Sequence, residues 1–290
     1  MRALLFHNSK AGEGHPSPDE LVAALSKARY DVAVFTKNEA MAFAAELVKG
    51  PDLIVMAGGD GTVGMLLNYV AAIRCPIAVL PLGTSNNIAR SFGIEGDPVA
   101  LIGQLKKAPE KRLDIGLANG PRGARLFIES VGWGLLASTT DQSIPGESLH
   151  EIRVRMRAAA IAELKNAKAR AMELTVDGEV IEANFLMVEA TSLARVGPGL
   201  LLADGNTRDA DALALVTLAE EGRDDMMEWL ATDKGKPPVT VRKAKTISAL
   251  WHRHPMRVDD EVIGKSEAPA LVVLRRLPLN LRLLVPKVES

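Results

Sequence analysis

The run Gly58-Gly59-Asp60-Gly61-Thr62 offers the clearest chemistry in the chain. Its glycines let the backbone turn sharply and bring N–H groups close to phosphate oxygens without Cβ obstruction. The run follows an apolar stretch, Leu53 to Ala57, that reads as a strand, and precedes a helical pattern, Val63 to Ala72. The glycines would therefore open a helix, at the end where negative charge is favoured. Asp60 is chemically odd in that setting, because a carboxylate beside a triphosphate is repelled unless it holds a metal ion or orients a donor. The expectation is Mg²⁺ handling at Asp60; the plainer alternative is a tight strand-to-helix turn with Asp60 as its N-cap.

A second loop repeats the arrangement. Pro81-Leu82-Gly83-Thr84-Ser85-Asn86-Asn87-Ile88-Ala89-Arg90 follows a strand-like run, Ile77 to Leu80, and again opens a helix. Two such loops on adjacent parallel strands build one crevice at the carboxyl ends of the strands, where open α/β sheets bind ligands. Near the far end, Val258-Asp259-Asp260-Glu261 taken alone reads as an acidic hairpin turn. In an extended segment, however, residues two apart project to one face, so Asp259 and Glu261 could act together while Asp260 points away.

Other candidates are weaker. His7, His15, His150, His252 and His254 show no ligand spacing, and with Cys75 as the single cysteine no zinc site can be assembled. Cys75 reads as a buried, inert thiol suited to a reducing compartment. Trp133, Trp229 and Trp251 lack the interleaved basic residues of a base-stacking platform. Lys plus Arg number 35 against 36 for Asp plus Glu, a formal net charge of −1, so no global field draws nucleic acid.

The elements that must position these residues follow from the apolar periodicity. Strands are predicted at Ala3 to His7, Val32 to Phe35, Leu53 to Ala57 and Ile77 to Leu80, alternating with helices. The first helix is announced by Ser17-Pro18-Asp19-Glu20, a complete capping-box signal. This rhythm implies a parallel sheet with covered faces. Beyond Arg112 short strands dominate, with Leu126 to Val131, Leu271 to Leu274 and Leu281 to Val285 among them. Asn119-Gly120 and Asp177-Gly178 signal hairpin turns. One helix, Glu151 to Arg170, interrupts them; its Arg153, Arg155 and Arg157 present either a solvated basic face or an attraction to anionic lipid. The fold class is thus α/β plus all-β: an α/β domain over residues 1–115, then a β-sandwich-like domain over 116–290 whose last strand could pack back on the first. The N-terminus carries no signal-peptide pattern, and no stretch approaches the roughly 18 apolar residues of a spanning helix. A cytoplasmic protein is expected, as a monomer or a homodimer.

These motifs resemble the diacylglycerol kinase catalytic family, which also includes sphingosine and ceramide kinases and is related to the NAD kinases. Asn8-Ser9-Lys10-Ala11-Gly12 resembles the family's opening loop, Gly58 to Thr62 its nucleotide loop, and Pro81 to Arg90 its second signature. Leu113-Asp114-Ile115-Gly116, Phe127 to Gly134 and Asp259-Asp260-Glu261 resemble later family segments. The resemblance implies a kinase that moves a phosphoryl group from Mg-ATP to the hydroxyl of a lipid alcohol such as diacylglycerol, in a cleft between the domains. ATP would meet Asn8, Ser9, Lys10, Gly12, Gly58, Gly59, Asp60, Gly61, Thr62, Gly83, Thr84, Ser85 and Asn86. Asp60 and Asp114 would serve Mg²⁺, Asp259 would be the general base, and Glu261 its supporting neighbour. Contact with the membrane surface would be transient, and nucleic acid is no partner. The sequence departs from the family at Ser9 (Pro), Asn87 (often Asp), Asp260 (Gly) and the glycine-poor segment around Val196-Gly197-Pro198-Gly199. The alternatives are a kinase for another acceptor such as NAD, and a nucleotide or lipid sensor without turnover.

Overall fold

The computed structural model describes residues 1–11, 15–139, 147–203 and 211–287. The chain divides into two units, Met1–Leu113 together with the residues from Leu279 onward, and Asp114–Pro278.

Unit 1 runs β1 (Arg2–His7), α1 (Pro18–Lys27), β2 (Asp31–Phe35), α2 (Ala40–Val48), β3 (Leu53–Gly58), α3 (Asp60–Gly64), β4 (Ile77–Pro81), α4 (Asn87–Phe92) and α5 (Pro98–Gln104). The strands pair in parallel in the order β4-β3-β1-β2. Every residue of β3 is buried, as a strand covered on both faces requires, which explains its unbroken apolar run. The capping box of α1 forms as the sequence predicts: Glu20 N–H donates to Ser17 Oγ at 3.3 Å and Ser17 N–H to the Glu20 carboxylate at 2.7 Å. Asp97 caps α5 by accepting from Ala100 N–H at 2.8 Å. The predicted helix over Val63 to Ala72 is shorter than expected, because α3 ends at Gly64 and continues as a tighter 3₁₀ turn, Met65–Tyr69. Gly61 and Gly64 explain this, since glycine costs about 1 kcal/mol per helical position relative to alanine.

Unit 2 takes in most of β5 (Glu110–Gly120), then β6 (Gly123–Phe127), β7 (Ser130–Gly134), α6 (Leu135–Ser138), α7 (Leu149–Asn166), β8 (Arg170–Val176), β9 (Glu179–Thr191), β10 (Arg195–Val196) and β11 (Leu200–Leu201). It continues through β12 (Leu213–Ala219), α8 (Arg223–Thr232), β13 (Thr240–Ala244), β14 (Thr246–Trp251), β15 (Met256–Val258), β16 (Glu261–Gly264) and most of β17 (Ala270–Leu284). Its strands run β16-β15-β7-β9-β8-β14-β17, each pair antiparallel, with β12 on β9 and β13 on β12. One core cluster gathers Phe127, Trp133, Leu174, Trp251 and Leu274; a second holds Leu164 of α7 and Met226, Trp229 and Leu230 of α8 against Leu186 and Val216.

Three local expectations change. Leu271 to Leu274 and Leu281 to Leu284 belong to one long strand, β17, which stops one residue short of the expected Val285 and whose last residues lie in unit 1 and pair in parallel with β4 at Leu283–Ile77. Asn119 and Gly120 are paired with Ala124 and Gly123, so the turn residues are Pro121 and Arg122, where proline pre-sets the backbone. Leu126 to Val131 is two strands with a break at Ile128-Glu129. The Asp177-Gly178 turn forms as predicted, with both residues at positive φ, 51° and 91°.

Candidate functional site

In unit 1 the first three site loops leave the carboxyl ends of β1, β3 and β4, which are neighbours in the sheet. The loops are tied to one another. Asn8 Nδ2 donates to Thr62 Oγ1 at 3.2 Å and Asn8 N–H to Ala57 O at 2.9 Å, joining the first loop to the second. Leu82 N–H donates to Gly58 O at 3.1 Å, joining the second to the third. Gly59 and Gly83 pack backbone on backbone, so that Gly83 has no room for a Cβ and one on Gly59 would press on the Gly83 main chain. That absence of side chains leaves a cradle floored by main-chain groups, with Ser9 and Lys10 exposed beside Asn8. Asn86, in the left-handed region at φ 48°, locks the third loop: its Oδ1 accepts from Gly83 N–H at 2.9 Å and its Nδ2 donates to Gly83 O at 2.6 Å. Thr84 and Ser85 are half-buried within this turn. Gly12, expected to complete the first loop, lies outside the described residues.

Asp60 is the principal brace. Its carboxylate accepts from Asn87 N–H and Ile88 N–H, both at 2.8 Å, so it caps the N-terminus of α4 from across the crevice. Of the two duties open to a carboxylate beside phosphates, the structure gives it the orienting of donors. Asp114, the other expected magnesium residue, is ion-paired with Arg276 in unit 2. Among the described residues no group of three or more His, Cys, Asp and Glu side chains could hold a metal ion. The donor set therefore fits a polyphosphate and does not fit a protein-built cage for Mg²⁺.

In unit 2 Asp259 occupies a tight turn between β15 and β16 at φ 50°, so the extended geometry expected for Asp259-Asp260-Glu261 is corrected. Left-handed backbone breaks the strand alternation, and Glu261 does not share a face with Asp259 by that route. Glu261 is exposed and paired with Arg125 of β6. Asp259 instead faces the β6–β7 break. Its Oδ2 accepts from Ile128 N–H at 3.0 Å, and its Oδ1 from Glu129 N–H at 2.8 Å and Ser130 N–H at 3.1 Å. Burial, reinforced by the neighbouring Glu129 carboxylate, pushes the Asp259 carboxyl up to about 7, against the opposing pull of those three amides. A carboxylate has about four acceptor directions, so Oδ2 keeps one lone pair for a further proton or donor.

Behind Asp259 lies a cluster that the sequence reading did not assemble. Arg257 is buried, and its guanidinium donates to Glu129 Oε1 at 3.1 Å, to Glu189 Oε2 at 3.1 Å, to Ser130 Oγ at 2.7 Å and to the main-chain oxygen of Asp259. Burial alone would lower its basicity; Glu189 and Glu129 more than offset this, so Arg257 is held firmly charged. Glu189, fully buried, is shifted upward by burial despite Arg257. Strand register makes the contact: Arg257 stands opposite Gly132, which stands opposite Glu189. A Cβ on Gly132 would occupy the Glu189 carboxylate, so glycine on the middle strand lets two charged side chains meet across it. The run Val131-Gly132-Trp133-Gly134 was the available signal, but only strand order reveals its partners.

Two other expectations find their places. Arg155 of α7 pairs with Glu147 at 3.0 Å, and Arg157 pairs with Asp233 at 2.7 Å while stacking on Trp229, so both guanidinia serve the fold of unit 2. Cys75 is buried, and burial raises its thiol to about 11. No helix among the described residues is long and apolar enough to cross a membrane.

Comparison with known proteins finds similar sequences and folds. Residues 2–118 match the model of the diacylglycerol kinase catalytic domain. A diacylglycerol kinase of Mycobacterium tuberculosis is 26% identical over 257 residues, covering 84% of this chain and 80% of its own. One of Staphylococcus aureus is 25% identical over 299 residues, covering 95% and 91%. A crystal structure of a diacylglycerol kinase from Bacillus anthracis superposes with a TM-score of 0.74 at 21% identity, covering 98% of this chain and 96% of that one, and shares its fold. The matched segment contains all three glycine-bearing loops, and over it the chain is similar to the diacylglycerol kinase catalytic domain.

Proposed function

We propose that the protein is an ATP-dependent lipid kinase acting on the hydroxyl of a lipid alcohol, diacylglycerol or a close relative. The observation that carries this is the mutual bracing of the loops after β1, β3 and β4, above all Asp60 spanning to Asn87 and Ile88. A rigid cradle of main-chain donors suits a reaction that depends on positioning and charge neutralisation. Bound ATP supplies the transferable phosphoryl group. Amides at the start of α3, Gly59 to Gly61, and those of the turn after Gly83 orient its phosphates, and Lys10 adds positive charge at the exposed rim. Mg²⁺, when bound with the nucleotide, would neutralise charge on its phosphates, while Asp60 braces main-chain amides and Asp114 pairs with Arg276. Asp259, with one free lone pair and a carboxyl raised to about 7, accepts the acceptor hydroxyl's proton. The protein acts in the cytoplasm and meets the membrane surface to reach its substrate.

One observation favours a second reading. The three amides on Asp259 are a structural duty that a sensor binding nucleotide or lipid without turnover would also need. The decisive test is incubation with γ-labelled ATP, Mg²⁺ and a total bacterial lipid extract, with NAD in a parallel reaction. Label in a lipid supports the proposal, label on NAD the other acceptor, and nucleotide binding with no label anywhere the sensor.

A further inference from the structure

Resting on the lipid-kinase reading, we infer that Arg257 is a positioning residue for the acceptor-side base: it fixes the main chain of Asp259 while balancing two buried carboxylates around it. Arg257 touches Asp259 itself and two of the three residues whose amides Asp259 accepts from. It donates to Asp259 O, to Ser130 Oγ beside the amide that Asp259 accepts from, and to Glu129, whose own amide also donates to Asp259. Glu129 is anchored in turn by Gly197 N–H at 2.7 Å. Glu189 holds the other arm of the guanidinium, so the fork cannot rotate away.

The charges facing Asp259 are Glu129 from the β6–β7 break and Arg257 from β15, with Glu189 of β9 behind Arg257. Asp260 and Glu261 flank it on the hairpin, both exposed, and Arg125 neutralises Glu261. Within this set Arg257 favours the ionised form of Asp259, and Glu189 weakens Arg257's influence. Opposite perturbations of one network therefore have opposite effects. Arg257→Gln removes the cation and makes Asp259 harder to ionise; Glu189→Gln frees more of the Arg257 charge and makes it easier. A merely structural role would slow both variants equally at every pH.

The experiment measures kcat and KM for the lipid against pH in wild type, Arg257→Gln, Arg257→Lys and Glu189→Gln, using the full chain. Expected is an acid limb of kcat shifted up in Arg257→Gln by about half a pH unit, roughly threefold in rate on that limb, and shifted down by a similar amount in Glu189→Gln. Arg257→Lys keeps the charge but loses the fork, so its limb stays near wild type while kcat falls and KM holds. In parallel, carbon-13 carboxyl NMR follows the Asp259 resonance, assigned through Asp259→Asn, in the same variants. If wild type transfers no phosphoryl group, the kinase reading fails, yet the NMR midpoints still decide the inference. Midpoints that move in opposite directions in Arg257→Gln and Glu189→Gln sustain it, and a Glu189→Gln midpoint identical to wild type overturns it, even if Arg257→Gln does not fold.

Discussion

Asp60→Ala separates a brace from a metal ligand. The substitution strips the carboxylate from Asn87 N–H and Ile88 N–H, each 2.8 Å away, and leaves the first turn of α4 uncapped. Hydrogen bonds to a charged partner contribute about 1.5–3 kcal/mol each, and loss of a capping acceptor costs about 0.5–2 kcal/mol. Asp60 is only half-buried, so water recovers part of each bond, and the net loss is about 2–3 kcal/mol. For a chain of this size, that lowers Tm by about 3–5 °C. The assay is calorimetry in chelator, with neither nucleotide nor magnesium present. Asp60→Asn keeps one acceptor and should lose about half as much. An unchanged Tm for Asp60→Ala in chelator, with a defect appearing only when Mg-ATP is added, would refute the brace and restore the metal ligand.

Three further outcomes follow from the same structure. The Asp259 carboxyl is raised in the folded state from 3.8 to about 7, and Glu189 is raised as well, so between about pH 4 and 7 the folded chain binds more protons than the unfolded one. Stability from these groups is therefore present at acid pH and lost as pH rises towards 7; thermal melts should show Tm falling across that window, and less steeply in Asp259→Asn. Gly132→Ala places a methyl group in the Glu189 carboxylate and should cost about 1–3 kcal/mol, seen as a lower midpoint in urea. Cys75, with its thiol raised to about 11, should resist a thiol reagent at pH 8 in the native protein and react only on unfolding; rapid native labelling would contradict its burial.

The residues of unit 1 announce their structure because each signal there is local. Leu53 to Ala57, Gly58 to Thr62 and the Ser17 capping box depend on neighbours a few positions away, and strand, turn and cap form where the pattern places them. The cradle was legible for the same reason, since two strand-ending glycine loops imply one crevice. The employment of Asp60 was not, because its partners lie 27 and 28 residues downstream and bind through main-chain amides that carry no sequence signature. Unit 2 hides more. Asp259 is recognised by motif but oriented by a positive φ that Asp259-Asp260 does not advertise, and its partners at Ile128 to Ser130 occupy what reads as the middle of a strand. The Arg257–Glu129–Glu189 cluster depends on the order β15-β7-β9, a long-range register that apolar periodicity does not encode.

The central claim, that the loops of unit 1 hold nucleotide and Asp259 activates the acceptor, is tested most directly by measuring ATP affinity and lipid phosphorylation side by side in wild type and Asp259→Asn. The account predicts equal nucleotide affinity and a loss of at least about a hundredfold in kcat, since the base acts on the acceptor alone. Phosphorylation at the wild-type rate in Asp259→Asn would contradict it.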